Sequence, residues 1–250
     1  ADKLSKLEVL SFTRLCDFVN KKLFIADKPK LDDAGRAIFM SLAIENLREN
    51  LELYKKSVDN IEFIDILIKA LSEFKMCSIT NDALLNMHNK IKDDSLKKKL
   101  YETALIINMY DSLVLQSFVD PLDDLTRLYN TLLENDVLKG YYIFLDGFTS
   151  FTNQEFKIME LLIKSSKEFY ISLCTDSLNL SNDDFGLFSS VNKTVKKIID
   201  ISKKQNIKIN KPILLNKQNR FKNNELKFLE QTIFRQEQCT YDDDISNISI

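Results

Sequence analysis

At residue 140 the texture of the chain changes, and that change limits the fold more than any other feature. Residues 141–145, YYIFL, are an unbroken apolar run ending on Asp146. NQEFKIMELLIKSSK follows with helical spacing, then EFYISLCTD, a second strand-length apolar run, then VNKTVKKIIDISKKQ, helical again, and IKINKPILL, which reads as extended. Strand and helix alternating in this order imply a mainly parallel sheet covered by helices, since each parallel strand needs a crossover before the next. LEVLSF, residues 7–12, also alternates and is expected to join that sheet as a strand, with TRLCDFVNKKL after it as a helix.

Between these parts the pattern is helical almost throughout. DAGRAIFMSLAIENLREN, IEFIDILIKALSEFKM, a shorter piece near 81–91 and LKKKLYETALIINMYDSLVLQSF each carry an apolar stripe at helical spacing. The expected organisation is an α/β domain, residues 1–30 and 120–250, interrupted by an all-helical insertion at 31–119. DPLDDLTRLYNTLL, from 120, has a helix-start signature: Asp120 as cap, Pro121 at the first helical position, and Asp123 and Asp124 complementing the dipole. Capping accounts for these aspartates without a metal. Beyond about 219, NNELKFLEQTIF reads as a helix, followed by an acidic tail, YDDDISNISI, read as a cut end or linker.

Around the 141–145 run, half of the local chemistry is architectural. Thr152 and Glu155 have the spacing of a capping box, and Phe151 and Phe156 that of a hydrophobic staple. The other half concerns Asp146. Residues 141–145 are apolar enough for burial on both faces, as in a central parallel strand. Ligands of open α/β sheets collect at the carboxyl ends of such strands, where Asp146 stands, with Gly147 permitting close backbone approach. On this reading Asp146 either faces a ligand or merely caps the turn.

Composition removes several alternatives. The formal net charge of −2 provides no global field for nucleic acid, so any such contact needs a local patch. Cys16, Cys77, Cys174 and Cys239 contain no CxxC pair, which argues against a zinc ribbon and fits reduced thiols. The only histidine, His88, lies in a polar stretch and leaves histidine triads little to work with. None of the four glycines precedes a lysine, so the chain has no GxxxxGK[ST] phosphate loop. No apolar run approaches the ~20 residues that would cross a bilayer. The chain opens on Ala1 and is expected to be an excised fragment.

VLSFTRL (9–15), GRAIFM (35–40), ILIKALSEFKMCSI (66–79), DPLDDLTRLY (120–129) and LDGFTSFTNQE (145–155), with ISLCTD and RFKNNEL after them in order, resemble AddB. AddB, also called RexB, is the B-type subunit of the bacterial ATP-dependent helicase/deoxyribonuclease. The resemblance implies a cytoplasmic bacterial protein that processes double-strand DNA breaks for recombinational repair, as the heterodimer partner of an AddA-like helicase–nuclease subunit. It implies a RecA-like (P-loop-type) sheet, here lacking the phosphate loop. ATP with Mg²⁺, and a 4Fe–4S cluster in a C-terminal nuclease domain, would belong to parts of the family's chain outside this one.

The resemblance also assigns residues. Active superfamily 1 helicases read DEFQ where this chain reads Asp146-Gly147-Phe148-Thr149. Asp146 keeps the carboxylate that holds a water on magnesium. Gly147 replaces the glutamate that orients the attacking water, and Thr149 the glutamine that senses the γ-phosphate. Losing both is expected to cost orders of magnitude in hydrolysis. VLSFTRL stands where the helicase motif touches single-stranded DNA, which the family scans for its Chi sequence. Phe12 would stack on a base, Arg14 would bind phosphate or a base edge, and Phe148 would line the same channel. Equally, Phe12 and Phe148 could be packing residues and Arg14 a surface residue. Asp17 departs from the aromatic often found past the arginine. Two further readings are a truncated but active ATPase domain and a helical interaction scaffold.

Overall fold

Helix after helix starts on a short polar side chain that accepts from an amide two or three residues on. Ser11 accepts from Arg14, Asp32 from Gly35, Asn60 from Glu62, Thr80 from Ala83, Asp93 from Leu96 and Thr152 from Glu155. Each cap satisfies a donor that the first helical turn leaves without a partner. In the computed structural model these caps open α1 (Phe12–Lys22), α2 (Asp33–Leu47), α3 (Ile61–Met76), α4 (Asn81–His88), α5 (Asp94–Ser117) and, later, α7 (Asn153–Ser165). α6 (Asp124–Glu134) follows a 3-10 turn at Pro121–Asp123, α8 is Ser189–Lys204 and α9 is Asn224–Thr232. The structure describes residues 7–26, 28–57, 60–175, 186–215, 217, 220–234 and 237–243.

α2, α3, α4 and α5 pack around Met40, Ile44, Leu71, Ile106 and Tyr110 in one hydrophobic core. Inside this body the buried Glu102 accepts from the amides of Glu52, Leu53 and Tyr54 at 2.9, 2.8 and 2.9 Å. One carboxylate thus fixes the irregular segment after α2. A second core joins α1, α6 and α7 through Cys16, Val19, Leu128, Ile158 and Leu162. Phe156, Met159, Ile163 and Ile201 tie α7 to α8.

β1 (Tyr142–Leu145) and β2 (Glu168–Ile171) form a parallel pair with Tyr142 opposite Glu168 and Leu145 opposite Ile171, and α7 is the crossover between them. The chain is therefore α/β, with a small parallel sheet among many helices. Ile143, Leu145 and Phe169 point into the helical cores. Three sequence expectations are corrected. Residues 141–145 are not buried on both faces: Tyr142, Phe144 and Tyr170 share an outer face that the described residues leave exposed. Residues 7–12 form no strand. Ser11 caps α1 and Phe12 begins it, because the Ser11 side chain satisfies the Arg14 amide locally, whereas a strand at 7–10 needs a neighbour. IKINKPILL likewise pairs with no described strand, and Ile213, Leu214 and Leu215 are exposed.

The chain crosses twice between the four-helix body and the rest, and the crossings run side by side. Lys30 and Val119 form a parallel bridge, with the Leu31 amide donating to the Val119 carbonyl at 2.9 Å and the Val119 amide to the Pro29 carbonyl at 3.0 Å. Ion pairs flank this ribbon. Lys30 reaches Asp124 at 2.7 Å and Asp17 at 3.0 Å. The largely buried Lys75 on α3 reaches Asp123 at 2.6 Å, Asp111 at 3.6 Å and Asp120 at 3.8 Å. Asp120 caps the turn through Leu122, as expected, and also accepts from the Tyr110 hydroxyl at 2.7 Å. Burial holds the carboxyls of Asp111 and Asp123 above the usual range, with the attraction of Lys75 opposing it.

Residues 209–250 form a unit of their own, separate from residues 1–208. In it α9 carries Phe228, whose ring lies 5.2 Å from that of Tyr241. Of the acidic tail only residues 241–243 are described, so most of that reading falls outside the described residues. No helix among the described residues is long and apolar enough to cross a membrane.

Candidate functional site

β1 delivers Asp146 to its carboxyl end, and the register decides what meets it there. With Leu145 opposite Ile171, the next residue on each strand is Asp146 and Ser172. The Ser172 hydroxyl donates to Asp146 Oδ1, and its amide donates to the Leu145 carbonyl at 2.9 Å. An exposed carboxylate and a hydroxyl thus sit together at the strand ends, where open α/β sheets bind ligands.

Gly147 follows at φ +80°, a left-handed conformation that any side chain would strain, although no atom lies within 4 Å of where a Cβ would stand. The backbone itself therefore disfavours a glutamate at this point. The next acid along the chain, Glu155, is already committed: its Oε2 accepts from the Thr152 amide at 2.8 Å, completing the capping box expected from the sequence. The staple forms as well, with the Phe151 and Phe156 rings 5.4 Å apart. Thr149 presents its side chain to solvent while its carbonyl accepts from Thr194 Oγ1 of α8 at 3.1 Å.

The structure brings Phe148 and Phe12 together. Their ring centroids are 5.9 Å apart at 71°, Phe148 stacks on Phe151 at 4.8 Å, and Phe12 meets Phe151 edge-on at 6.2 Å. Phe12 is only 8% exposed, so a base could reach its face only by displacing these rings. Phe148 is half-buried at the margin of the same wall. Arg14, on the first turn of α1, is exposed, as are Ser11 and Thr13, whose hydroxyls lie 2.9 Å apart. The site therefore consists of a strand-end carboxylate, a glycine turn, an aromatic wall and an exposed arginine on the helix that the wall anchors. Sequence reasoning missed Ser172 and Thr194. Neither contact has a local signal, because the register that sets Asp146 beside Ser172 is a pairing between two strands.

Other titratable groups are placed elsewhere. Cys16 lies in the core, where burial first, and then the Asp124 carboxylate, push its thiol up to about 11. Cys77, Cys174 and Cys239 are exposed. His88 is half-buried, its ring 5.6 Å from that of Tyr101. No group of three His, Cys, Asp or Glu residues is placed to hold a metal ion among the described residues.

The sequence pattern of the family described as ADDB, N-terminal, matches residues 1–230. A Thermoanaerobacter sp. (strain X514) protein, named as the B subunit of an ATP-dependent helicase/deoxyribonuclease, is 32% identical over 100% of this chain. Proteins of the same name from Clostridium botulinum (strain Loch Maree / Type A3) and Acetivibrio thermocellus are 33% and 28% identical over 92% and 98% of it. The chain spans 20–22% of the length of these curated relatives. Matched over most of its length, the chain belongs to the AddB N-terminal family.

Proposed function

We propose that this chain is a helicase-like part of an AddB protein, in a bacterial helicase–nuclease acting on double-strand DNA breaks, and that it contributes single-stranded DNA binding rather than ATP hydrolysis. The observation that carries the reading is the Asp146-Gly147-Phe148-Thr149 turn. One carboxylate stands at the strand end, and the following position is a left-handed glycine. Asp146 with Ser172 suits a hydrated magnesium ion, which takes one or two carboxylates and keeps most of its waters. The ion would supply charge neutralisation to a bound nucleotide's phosphates. No acid follows to orient a water, since Glu155 caps α7, so hydrolysis lacks its positioning group. The RecA-like sheet, with residues 31–119 as its insertion, belongs to the same proposal, as do the cytoplasmic setting and an AddA-like partner. A 4Fe–4S cluster does not fit these cysteines: Cys16 lies in the core while the other three are exposed, and the described residues bring no three metal-ligating side chains together, so in this reading the cluster belongs to another part of the protein.

In this reading Arg14 binds the DNA backbone, Phe148 borders the strand's path, and Phe12 holds the start of α1 in place. Scanning for Chi would use the same surface. The test is Arg14→Ala in the assembled AddA–AddB complex, with single-stranded oligonucleotide affinity measured against salt. Affinity is expected to fall and the slope of log K on log salt to shrink by about 0.7, one phosphate contact on a single strand. Unchanged affinity and slope would reject the assignment. In the same complex, with the partner's own ATPase site disabled, Asp146→Ala is expected to leave ATP turnover at background. Turnover abolished by that substitution would instead identify an active ATPase.

A further inference from the structure

α8 buries Val191, Thr194 and Ile201 and turns its lysines the other way. Lys193, Lys196, Lys197, Lys203 and Lys204 fall within an arc of about 120°, with Asp200 the one acid of the helix. A chain of formal net charge −2 thus gathers five cations on one helix face. A lysine face alone is ordinary solvated surface. What sets this one apart is the concavity beside it.

Between α7 and α8 lies a groove of about 400 Å³, lined by Lys157, Lys197 and Lys204 together with Asn153, Glu160 and Asp200. Among the described residues none of these three lysines is ion-paired. Glu160 is engaged, accepting from Gln205 Nε2 at 2.9 Å. Lys197 Nζ donates to Asn153 Oδ1 at 3.0 Å and stands 3.8 Å from the centre of the Phe156 ring. Burial there lowers the pKa of its ammonium from the ordinary lysine value, so the charge has lost water and gained no counter-ion. Lys197 and Lys204 are about 10 Å apart along α8, a spacing that suits successive phosphates of a strand better than one phosphate group.

The groove also begins at the site already described. Thr194, one turn before Lys197, holds the Thr149 carbonyl, and Phe156 meets Phe151, which stacks on Phe148. One aromatic wall therefore has the start of α1, with Arg14, at one end and Lys197 at the other. We propose that Lys157, Lys197 and Lys204 form a second phosphate-contact surface for single-stranded DNA, which continues past Arg14 along the α7–α8 groove. The inference rests on the reading of this chain as a single-strand binder. The contacts are to backbone, so they add affinity without sequence preference.

The test substitutes all three lysines by glutamine in the assembled AddA–AddB complex and measures oligo-dT affinity against salt. Three lost contacts at about 0.7 each should shrink the slope of log K on log salt by about 2. Wild type is then expected to lose about twentyfold more affinity than the variant between 50 and 200 mM salt. A mixed-sequence strand should show the same change, and the corresponding triple arginine variant should keep the wild-type slope. Circular dichroism melting of both variants checks that the helices persist. Unchanged affinity and slope in the glutamine variant would overturn the proposal. So would a loss confined to duplex DNA, or a complex that no longer assembles, which would give the groove to a duplex or to an acidic surface of the partner. Arg14→Ala, measured alongside, separates the two ideas. A loss there without one in the triple variant removes the groove and leaves the single-strand reading standing; the reverse keeps the groove and removes Arg14.

Discussion

Replacing Phe12 by alanine separates packing from DNA contact at the start of α1. The ring is buried and meets Phe148 and Phe151 edge-on at 5.9 and 6.2 Å, so its loss opens a cavity between α1 and the turn after β1. Truncating a buried phenylalanine costs about 3–5 kcal/mol. Phe12 occupies the first turn of its helix, beside the half-buried Phe148, so the low end of that range, about 3 kcal/mol, is expected. In a chain of this size each kcal/mol moves Tm by roughly 2–4 °C, which predicts a fall of about 6–12 °C. Arg14→Ala, two residues away and exposed, should change stability by no more than about 0.5 kcal/mol. Melting followed by circular dichroism reads the first effect, and oligonucleotide anisotropy well below the transition reads DNA binding. The expected pattern is a large Tm loss with affinity retained for Phe12→Ala, and the reverse for Arg14→Ala. A Phe12→Ala chain that melts like wild type yet no longer binds DNA would refute the burial argument and return the ring to the DNA.

Two further expectations concern buried charge. Lys75→Met leaves Asp111, Asp120 and Asp123 without their cation, and breaking such a buried pair costs about 3–5 kcal/mol. The carboxyls of Asp111 and Asp123 sit above the usual range, so the folded state holds protons that the unfolded state has released. Their contribution to stability therefore grows as pH falls through that raised range and is lost as pH rises above it. Removing Lys75 should move both midpoints further up in a carboxyl-carbon NMR titration; unmoved midpoints would show that the lysine does not set them. Glu102→Ala strands three amides and is expected to cost about 3 kcal/mol, since an unsatisfied buried donor costs about 1–3 kcal/mol and water partly rescues the set. Hydrogen exchange should accelerate at Glu52, Leu53 and Tyr54, and unchanged protection there would refute the anchoring role.

What the sequence made legible follows the range of the interactions. α3 spans the segment IEFIDILIKALSEFKM that its apolar spacing marks out, and Thr152, Glu155, Phe151 and Phe156 form the cap and staple their spacing announces, because these contacts close within a turn or two. Residues 7–12 show the reverse. Their alternation suits a strand, but a strand is a relation to a partner, while Ser11 needs only the amide of Arg14. Lys75 with Asp123, and Glu102 with the amides of 52–54, join residues about 50 apart, and no local pattern records such pairs. At the site, the position of Asp146 was readable from the apolar run before it. That Phe12 faces inward was not, because helix and strand readings of VLSFTRL turn its side chains differently.

The bridge between Lys30 and Val119 has a consequence for how this chain tolerates change. Because the two connections to the four-helix body are hydrogen-bonded neighbours, the remainder experiences everything between them as one closed loop. The entropy of closing a loop grows only logarithmically with its length, so substituting a shorter or longer body at this junction should disturb the α1–α6–α7 core little. The same geometry sets a timing constraint. α1 packs on α6 and α7, whose residues lie more than a hundred positions later, so these long-range contacts are expected to form after those among α2, α3, α4 and α5.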